Sequence, residues 1–432
     1  MSGPFGSEPG PAGDRGAPLI AADAALVWRA RWLVPEPERV IEDGALVVER
    51  GRVVALGRAD ELVTRGAPVH DLGAAALTPG LVDAHAHLCL TDLAGRVPAG
   101  EAFPDWIRAL MTERAHAPSD AAAAMRAGLA RLAAGGCVAV GDVVAAAALG
   151  AVADEPTGAP LVRAYAEVID AGDPARGQAA AREATRWCAA APARRGLSPH
   201  APYTVLDETL AALARARASD GAPLQFHWAE TREEFEWTEG RGGPFEALLG
   251  PARARPAALD RLDRAGLLDA RTLLVHGNHP GEDEPERIAA ADASLVHCPG
   301  AHAFFDRAPF DAERYRRAGV RLCLGTDSAA GNDALDMRRE LALAARAFDG
   351  VPDAELWSWA TRDAARAIAL DDEVGVLAVG RPFTAAAFAL EVGTARDVVP
   401  ALVRSEPEVV GAWVRGARID GGRESAGRHA DR

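Results

Sequence analysis

The chain contains no lysine; all 47 of its basic residues are arginine. That absence excludes a Schiff-base lysine, a phosphate-loop lysine and a carbamylated lysine bridging two metal ions. Cysteine is scarce as well. The five present (Cys89, Cys137, Cys188, Cys298 and Cys323) are scattered without a CxxC pair, which argues against a disulfide framework and for reduced thiols in a cytoplasmic enzyme. No apolar stretch reaches ~18 residues free of charge, so no membrane span is expected. Positive charge is in deficit too: 47 basic against 62 acidic side chains leave a formal charge of −15, which repels a phosphate backbone, so nucleic acid is not an expected partner. The Gly/Pro-rich residues 1–18 lack a basic start followed by an apolar run and read as a disordered tail, as do residues 421–432.

What remains is ordinary for a folded protein: 49% apolar and 25% charged residues over 432 positions. An α/β barrel of ~250 residues can absorb most of that length as one domain. Residues 19–78 alternate short apolar runs with turns, as in ALVVERGRVVALG, where Arg50-Gly51-Arg52 separates two β-like segments. A similar texture returns over 372–420, in VGVLAVGRPFTAAAFAL and VVGAWVRGARI, so the two ends are expected to pair into one β-domain. Between them, over 79–371, apolar runs of four to seven residues alternate with Ala/Arg/Leu-rich helical stretches, the βα pattern of a parallel sheet. Eight such runs end at or near His85, Asp142, Val168, His200, His227, His276, Cys298 and Asp327. The predicted fold class is therefore α/β, a (βα)8 TIM barrel.

The chemistry-bearing residues cluster at the ends of these strands. His85, Asp142, His200, His227, His276 and Asp327 all fall at predicted C-terminal ends, the active-site face of such a barrel. His85 and His87 stand two apart, and since strand side chains repeat every two residues both imidazoles can point to one side. A third histidine on the fifth strand, His227, and a carboxylate on the eighth, Asp327, complete three nitrogens and one oxygen. That set suits one divalent ion, Zn²⁺ ahead of Fe²⁺, with a position left open for water.

The segments LTPGLVDAHAHL, SPHAPYTV, QFHWAE, LLVHGNH, VHCPGAHAFF and LCLGTDSAAGND, in this order from about residue 20 to 420, resemble the amidohydrolase superfamily. The similarity is to its metal-dependent aminohydrolase branch, which holds deaminases of cytosine, guanine, adenosine derivatives and aminodeoxyfutalosine together with triazine chlorohydrolases. The resemblance implies a barrel joined to a β-sandwich built from both termini. It maps metal ligation onto His85, His87, His227 and Asp327. A mononuclear site agrees with the missing lysine.

A divalent ion lowers the pKa of water towards ~7. Glu230, three residues past His227, is expected to take a proton from the activated water and pass it to a ring nitrogen or departing amine. His276 would polarise the water, and Asp327 would accept the second proton. Glu233, Glu234, Glu236 and Glu239 are expected to be surface charges. His200 resembles a substrate-contacting histidine, Trp106 with Phe103 is expected in an aromatic lid, and His302 stands where relatives place a substrate-facing polar residue. Cys89 departs from the acidic residue expected at its position, Gly300-Ala301-His302 departs from the usual tripeptide, and GRPFTAAAFAL lacks the usual Ala-Asp after glycine.

The expected function is hydrolytic deamination of a heteroaromatic amine (purine-, pterin- or aminodeoxyfutalosine-like), with a small-molecule substrate and water as partners and a homodimer compatible with the reading. Two alternatives stand beside it. One is the same chemistry on another leaving group, such as chloride, an amide or a cyclic amidine. The other is a non-catalytic scaffold of the same fold, against which the full ligand set argues.

Overall fold

The structure, a computed structural model, describes residues 25–62, 66–99, 102–116, 120–153 and 157–421. The expected terminal tails lie outside these residues, apart from position 421. Eight strands form one sheet paired in chain order: β1 (Leu81–Ala86), β2 (Cys137–Val144), β3 (Leu161–Val168), β4 (Arg195–Pro199), β5 (Leu224–Trp228), β6 (Thr272–His276), β7 (Ser294–His297) and β8 (Arg321–Leu324). Every pairing between neighbours is parallel. The strands are buried along nearly their whole length, which is why they read in the sequence as continuous apolar runs rather than as alternating ones.

The sheet closes at the β1–β8 seam. Ala86 bridges Asp327, and the backbone N–H groups of Thr326 and Asp327 donate to the His85 carbonyl at 3.1 and 2.9 Å. Asp83, wholly buried one pleat below His85, reinforces the seam by accepting from Thr326 N at 3.0 Å and Thr326 Oγ1 at 2.6 Å. A side chain at Gly325 would put its Cβ 2.9 Å from the His85 backbone, so only glycine allows the two strands to meet there.

Helices Ala121–Ala134, Pro174–Ala190 and Asp207–Asp220 separate strands as the sequence predicts, and the last ends on Gly221 in the left-handed conformation (φ +61°). The alternation is not uniform. Between β2 and β3 the described residues hold only a 3₁₀ turn, Ala146–Ala151, because this short connection runs into the helix-breaking EPTGAP.

The two ends of the chain do pair. Strands Leu26–Glu36, Arg39–Glu49, Arg52–Arg58, Val69–Asp71 and Ala75–Pro79 join Ala385–Ala389, Val409–Val414 and Ala417–Arg418 in a second sheet. Trp28 and Trp413 lie on strands three steps apart, about 14 Å in a flat sheet, yet their ring centroids are 4.6 Å apart. The sheet therefore folds back over its own core of Trp28, Leu33, Leu46, Val53, Phe383 and Trp413. The segment expected to be β-like before Pro382 is mostly loop, and helix Val398–Arg404 interrupts the C-terminal strands.

Candidate metal centre and active site

His85 and His87 project from the end of β1, His227 from β5, His276 from β6, and Asp327 from just beyond β8. One ligand atom from each of His85, His87 and His227 lies within 4.8 Å of the others, and the same holds for His85, His276 and Asp327. His87 Nε2 stands 3.3 Å from His227 Nε2, and Asp327 Oδ1 is 3.6 Å from Nε2 of both His85 and His87. Residues far apart in sequence thus converge as their strand ends predict.

Their tautomers follow from what the other ring nitrogens touch. Gln225 Nε2 donates to the Ala84 carbonyl at 2.9 Å, which turns its Oε1 towards His85; His85 Nδ1 must then donate to it, at 2.8 Å. His227 Nδ1 lies 2.9 Å from the His200 carbonyl, an acceptor only, so it too carries the proton. Nε2 of each ring is left as a lone pair facing the cluster. His85 Nε2 is completely buried and has no hydrogen-bond partner. A buried acceptor with no donor, beside two further imidazole nitrogens and a carboxylate, fits a divalent cation.

The electrostatics agree. Burial pushes the imidazoles of His227 and His276 well below the usual histidine range and takes His87 down to about 3, so these rings are neutral and ready to ligate. Burial opposes the charge on Asp327, but its pairing with His85 outweighs it and holds the carboxyl well below the usual carboxylate range, while Asp327 in turn raises His85 against its own burial. His276 (φ +77°) and Asp327 (φ +60°) both adopt left-handed backbone, a strain of ~1–3 kcal/mol each that turns their side chains into the cluster.

Glu230 is buried beside this centre. Its Oε1 lies 3.5 Å from His276 Nε2 and accepts from Arg307 Nη2 at 2.7 Å. Burial raises its carboxyl above the usual value, while Arg307 pulls the other way. Asn278 Nδ2 donates to its carbonyl at 2.9 Å, and Glu234 Oε2 accepts from its N–H at 3.0 Å. Glu234 is accordingly not the surface charge expected: it is 2% exposed, and burial pushes its carboxyl up to about 8. It is the acidic partner of a helix-start motif in which Thr231 Oγ1 accepts from Glu234 N at 3.1 Å, a T-x-x-E signal present in the sequence.

The expected substrate contacts divide. His200 borders the centre: its ring is 4.9 Å from that of His227, its Nδ1 meets Thr204 Oγ1 at 2.8 Å, and its Nε2 lies 4.0 Å from Glu167. Trp106, on helix Phe103–His116, is buried in an aromatic cluster, stacked on Phe103 at 5.8 Å and edge-on to Phe305 at 5.1 Å. His302 is not part of the histidine cluster. It packs on His297 and donates from Nε2 to the Ala308 carbonyl at 2.8 Å, pinning the loop that carries Arg307.

Arg307 and Gln225 were not among the residues singled out from the sequence. Gln225 had a signal, since it sits two residues before His227 and so on the same strand face. Arg307 had none, lying in an irregular loop without a motif. Asp142, two residues short of the end of β2 rather than at it as expected, accepts from Leu88 N at 2.8 Å and so holds the turn that follows His87.

Residues 76–419 match the model of the Amidohydrolase family, and the chain belongs to that family. It is 32% identical over 332 residues to the aminodeoxyfutalosine deaminase of Deinococcus radiodurans, covering 71% of this chain and 77% of that one. It is also 29% identical over 367 residues to a 5-methylthioadenosine/S-adenosylhomocysteine deaminase of Moorella thermoacetica, 81% of this chain and 82% of that one. Among solved structures, an adenosine deaminase from Xanthomonas campestris with bound zinc superposes with a TM-score of 0.75 at 27% identity, covering 92% of this chain and 93% of that one. The aminofutalosine deaminase of Helicobacter pylori gives a TM-score of 0.79 at 20% identity, over 91% and 99%, a likeness of fold. No helix among the described residues is long and apolar enough to cross a membrane.

Proposed function

We propose that the protein is a mononuclear metal-dependent hydrolase that deaminates a heteroaromatic amine, purine-, pterin- or aminodeoxyfutalosine-like, with release of ammonia. His85, His87, His227 and Asp327 would hold the ion, Zn²⁺ in the first instance; when bound it supplies Lewis acidity towards water. The observation that carries the proposal is the buried Glu230 carboxyl at 3.5 Å from His276 and beside the ligand cluster.

Glu230 would carry the proton at its carboxyl oxygens, a role supported by its burial, which raises it above the ordinary carboxylate value against the pull of Arg307. It takes one proton as the water oxygen bonds to the amine-bearing carbon and delivers it to the adjacent ring nitrogen. A second proton, accepted by Asp327 Oδ1 and steered by His276, reaches the amine. The carbon–nitrogen bond then breaks, ammonia leaves, and the ring keeps the oxygen as a carbonyl. An amine requires protonation to depart whereas chloride does not, so a proton-carrying glutamate favours deamination over dechlorination. His200 would contact the substrate at the mouth. Trp106 would back the aromatic wall, and His302 would act through the loop that it pins.

An ammonia-release screen of the zinc-loaded protein over aminated purines, pyrimidines, pterins, triazines and aminodeoxyfutalosine tests this. The expected result is turnover of at least one amine, lost in Glu230→Gln by ~10²–10⁴-fold with metal content intact. Release of chloride or of an amide product without any ammonia, or an unchanged rate in Glu230→Gln, would overturn it.

A further inference from the structure

Arg307 is the unexplained cation of the site. Its side chain is only 10% exposed, and its guanidinium lies over the faces of Phe103 at 5.4 Å and Phe305 at 4.8 Å, a cation–π position. The loop is fixed on both sides of it: Arg307 N donates to the His302 carbonyl at 3.2 Å, and His302 holds the Ala308 carbonyl. A guanidinium has five N–H donors. Among the described residues its one hydrogen-bond partner is Glu230 Oε1, reached through Nη2. The remaining donors have no acceptor among the described residues and are open to one that a bound molecule brings.

We propose that Arg307 and Glu230 together read an N–C=O edge of the substrate, so that the preferred amines are heterocycles carrying the unit H₂N–C=N–C=O, which narrows the substrates proposed above and disfavours 6-aminopurines of the aminodeoxyfutalosine type. This rests on the deaminase reading above. A ring nitrogen that exchanges a proton with Glu230 lies within hydrogen-bond reach of that carboxyl, and the next ring atom then falls beside the guanidinium. A carbonyl oxygen there gives the donors their acceptor. A C–H there leaves them facing nothing once the bound ring has displaced solvent, and a donor left unpaired in that way discriminates against an analogue lacking the acceptor. Arg307 thereby becomes the specificity residue of the pocket, with Phe103 and Phe305 holding its plane.

The test uses a matched pair that differs at that position: isocytosine, whose N1–H tautomer carries the unit, against 2-aminopyrimidine, which has a C–H there. For the zinc-loaded wild type, kcat/KM is expected to favour the carbonyl partner at least ~10-fold. Arg307→Met is expected to bring the ratio near unity, and Arg307→Lys, which keeps the cation, to leave it intermediate. Calorimetric titration of the same zinc-loaded proteins should rank binding in the same order. A wild-type ratio near unity, or an Arg307→Met variant that slows both members of a pair equally, overturns the edge-reading role while leaving deamination standing. Failure of every amine to release ammonia while isocytosine still outbinds 2-aminopyrimidine overturns the deaminase reading and supports the role of Arg307.

Discussion

Replacing Gln225 with leucine isolates the contribution of a residue that is expected to touch neither metal nor substrate. In the wild type the Gln225 amide is fixed by the Ala84 carbonyl at 2.9 Å and accepts from His85 Nδ1 at 2.8 Å. That bond keeps the proton on Nδ1 and the lone pair on Nε2. Leucine has similar bulk and no acceptor, so His85 can move its proton to Nε2, the atom that must ligate. Loss of such an orienting partner costs ~10–100-fold in metal affinity, equivalent to ~1.4–2.7 kcal/mol. The metal-free protein should lose a further ~1–3 kcal/mol of stability because the buried Ala84 carbonyl and His85 Nδ1 both lose their hydrogen-bond partner, less whatever leucine gains by burial. Competition against a chromogenic zinc chelator reads the affinity, and Gln225→Glu, which retains an acceptor, should stay near wild type. A Gln225→Leu protein that binds zinc as tightly as the wild type would refute the tautomer argument.

Three further outcomes are expected. Asp83→Ala removes the acceptor for Thr326 N and Oγ1 at the β1–β8 seam and should cost ~2–4 kcal/mol; unchanged amide exchange at Thr326 would contradict the seam. Burial pushes the Glu234 carboxyl up to about 8, so the folded chain keeps a proton that the unfolded chain releases. This contribution is full below the pKa of the unfolded glutamate and is lost as pH rises towards about 8. Glu234→Gln, which keeps the acceptor for Glu230 N, should therefore flatten the fall in Tm between pH ~5 and ~8, and parallel curves for the two proteins would refute it. All five cysteines are free and buried, and burial takes Cys89 up to about 12; a thiol reagent should label the native protein slowly and the denatured protein fully, and rapid native labelling would contradict that burial.

The barrel was legible because its strands are buried on both faces and so appear as unbroken apolar runs, each with its polar residue at one end. The convergence of His85, His87, His227, His276 and Asp327 was legible for the same reason, since strand ends in a closed barrel meet. The lack of a helix after β2 among the described residues was hidden by counting apolar runs without weighing the breakers between them. Glu234 was misjudged because three neighbouring glutamates made it look solvated, although Thr231 three residues earlier marks a capped helix start. Arg307 could not have been found at all: its role depends on where an irregular loop brings a guanidinium, and no periodicity governs that. His302, expected at the substrate, also fixes that loop through the Ala308 carbonyl.

Elemental analysis of the purified protein and of His85→Ala and Asp327→Ala variants measures most directly whether these strand ends form a metal centre. The wild type should carry about one divalent ion per chain, as one three-histidine, one-carboxylate set requires, and both variants should lose it. Full retention of metal in both would contradict the assignment and the chemistry built upon it.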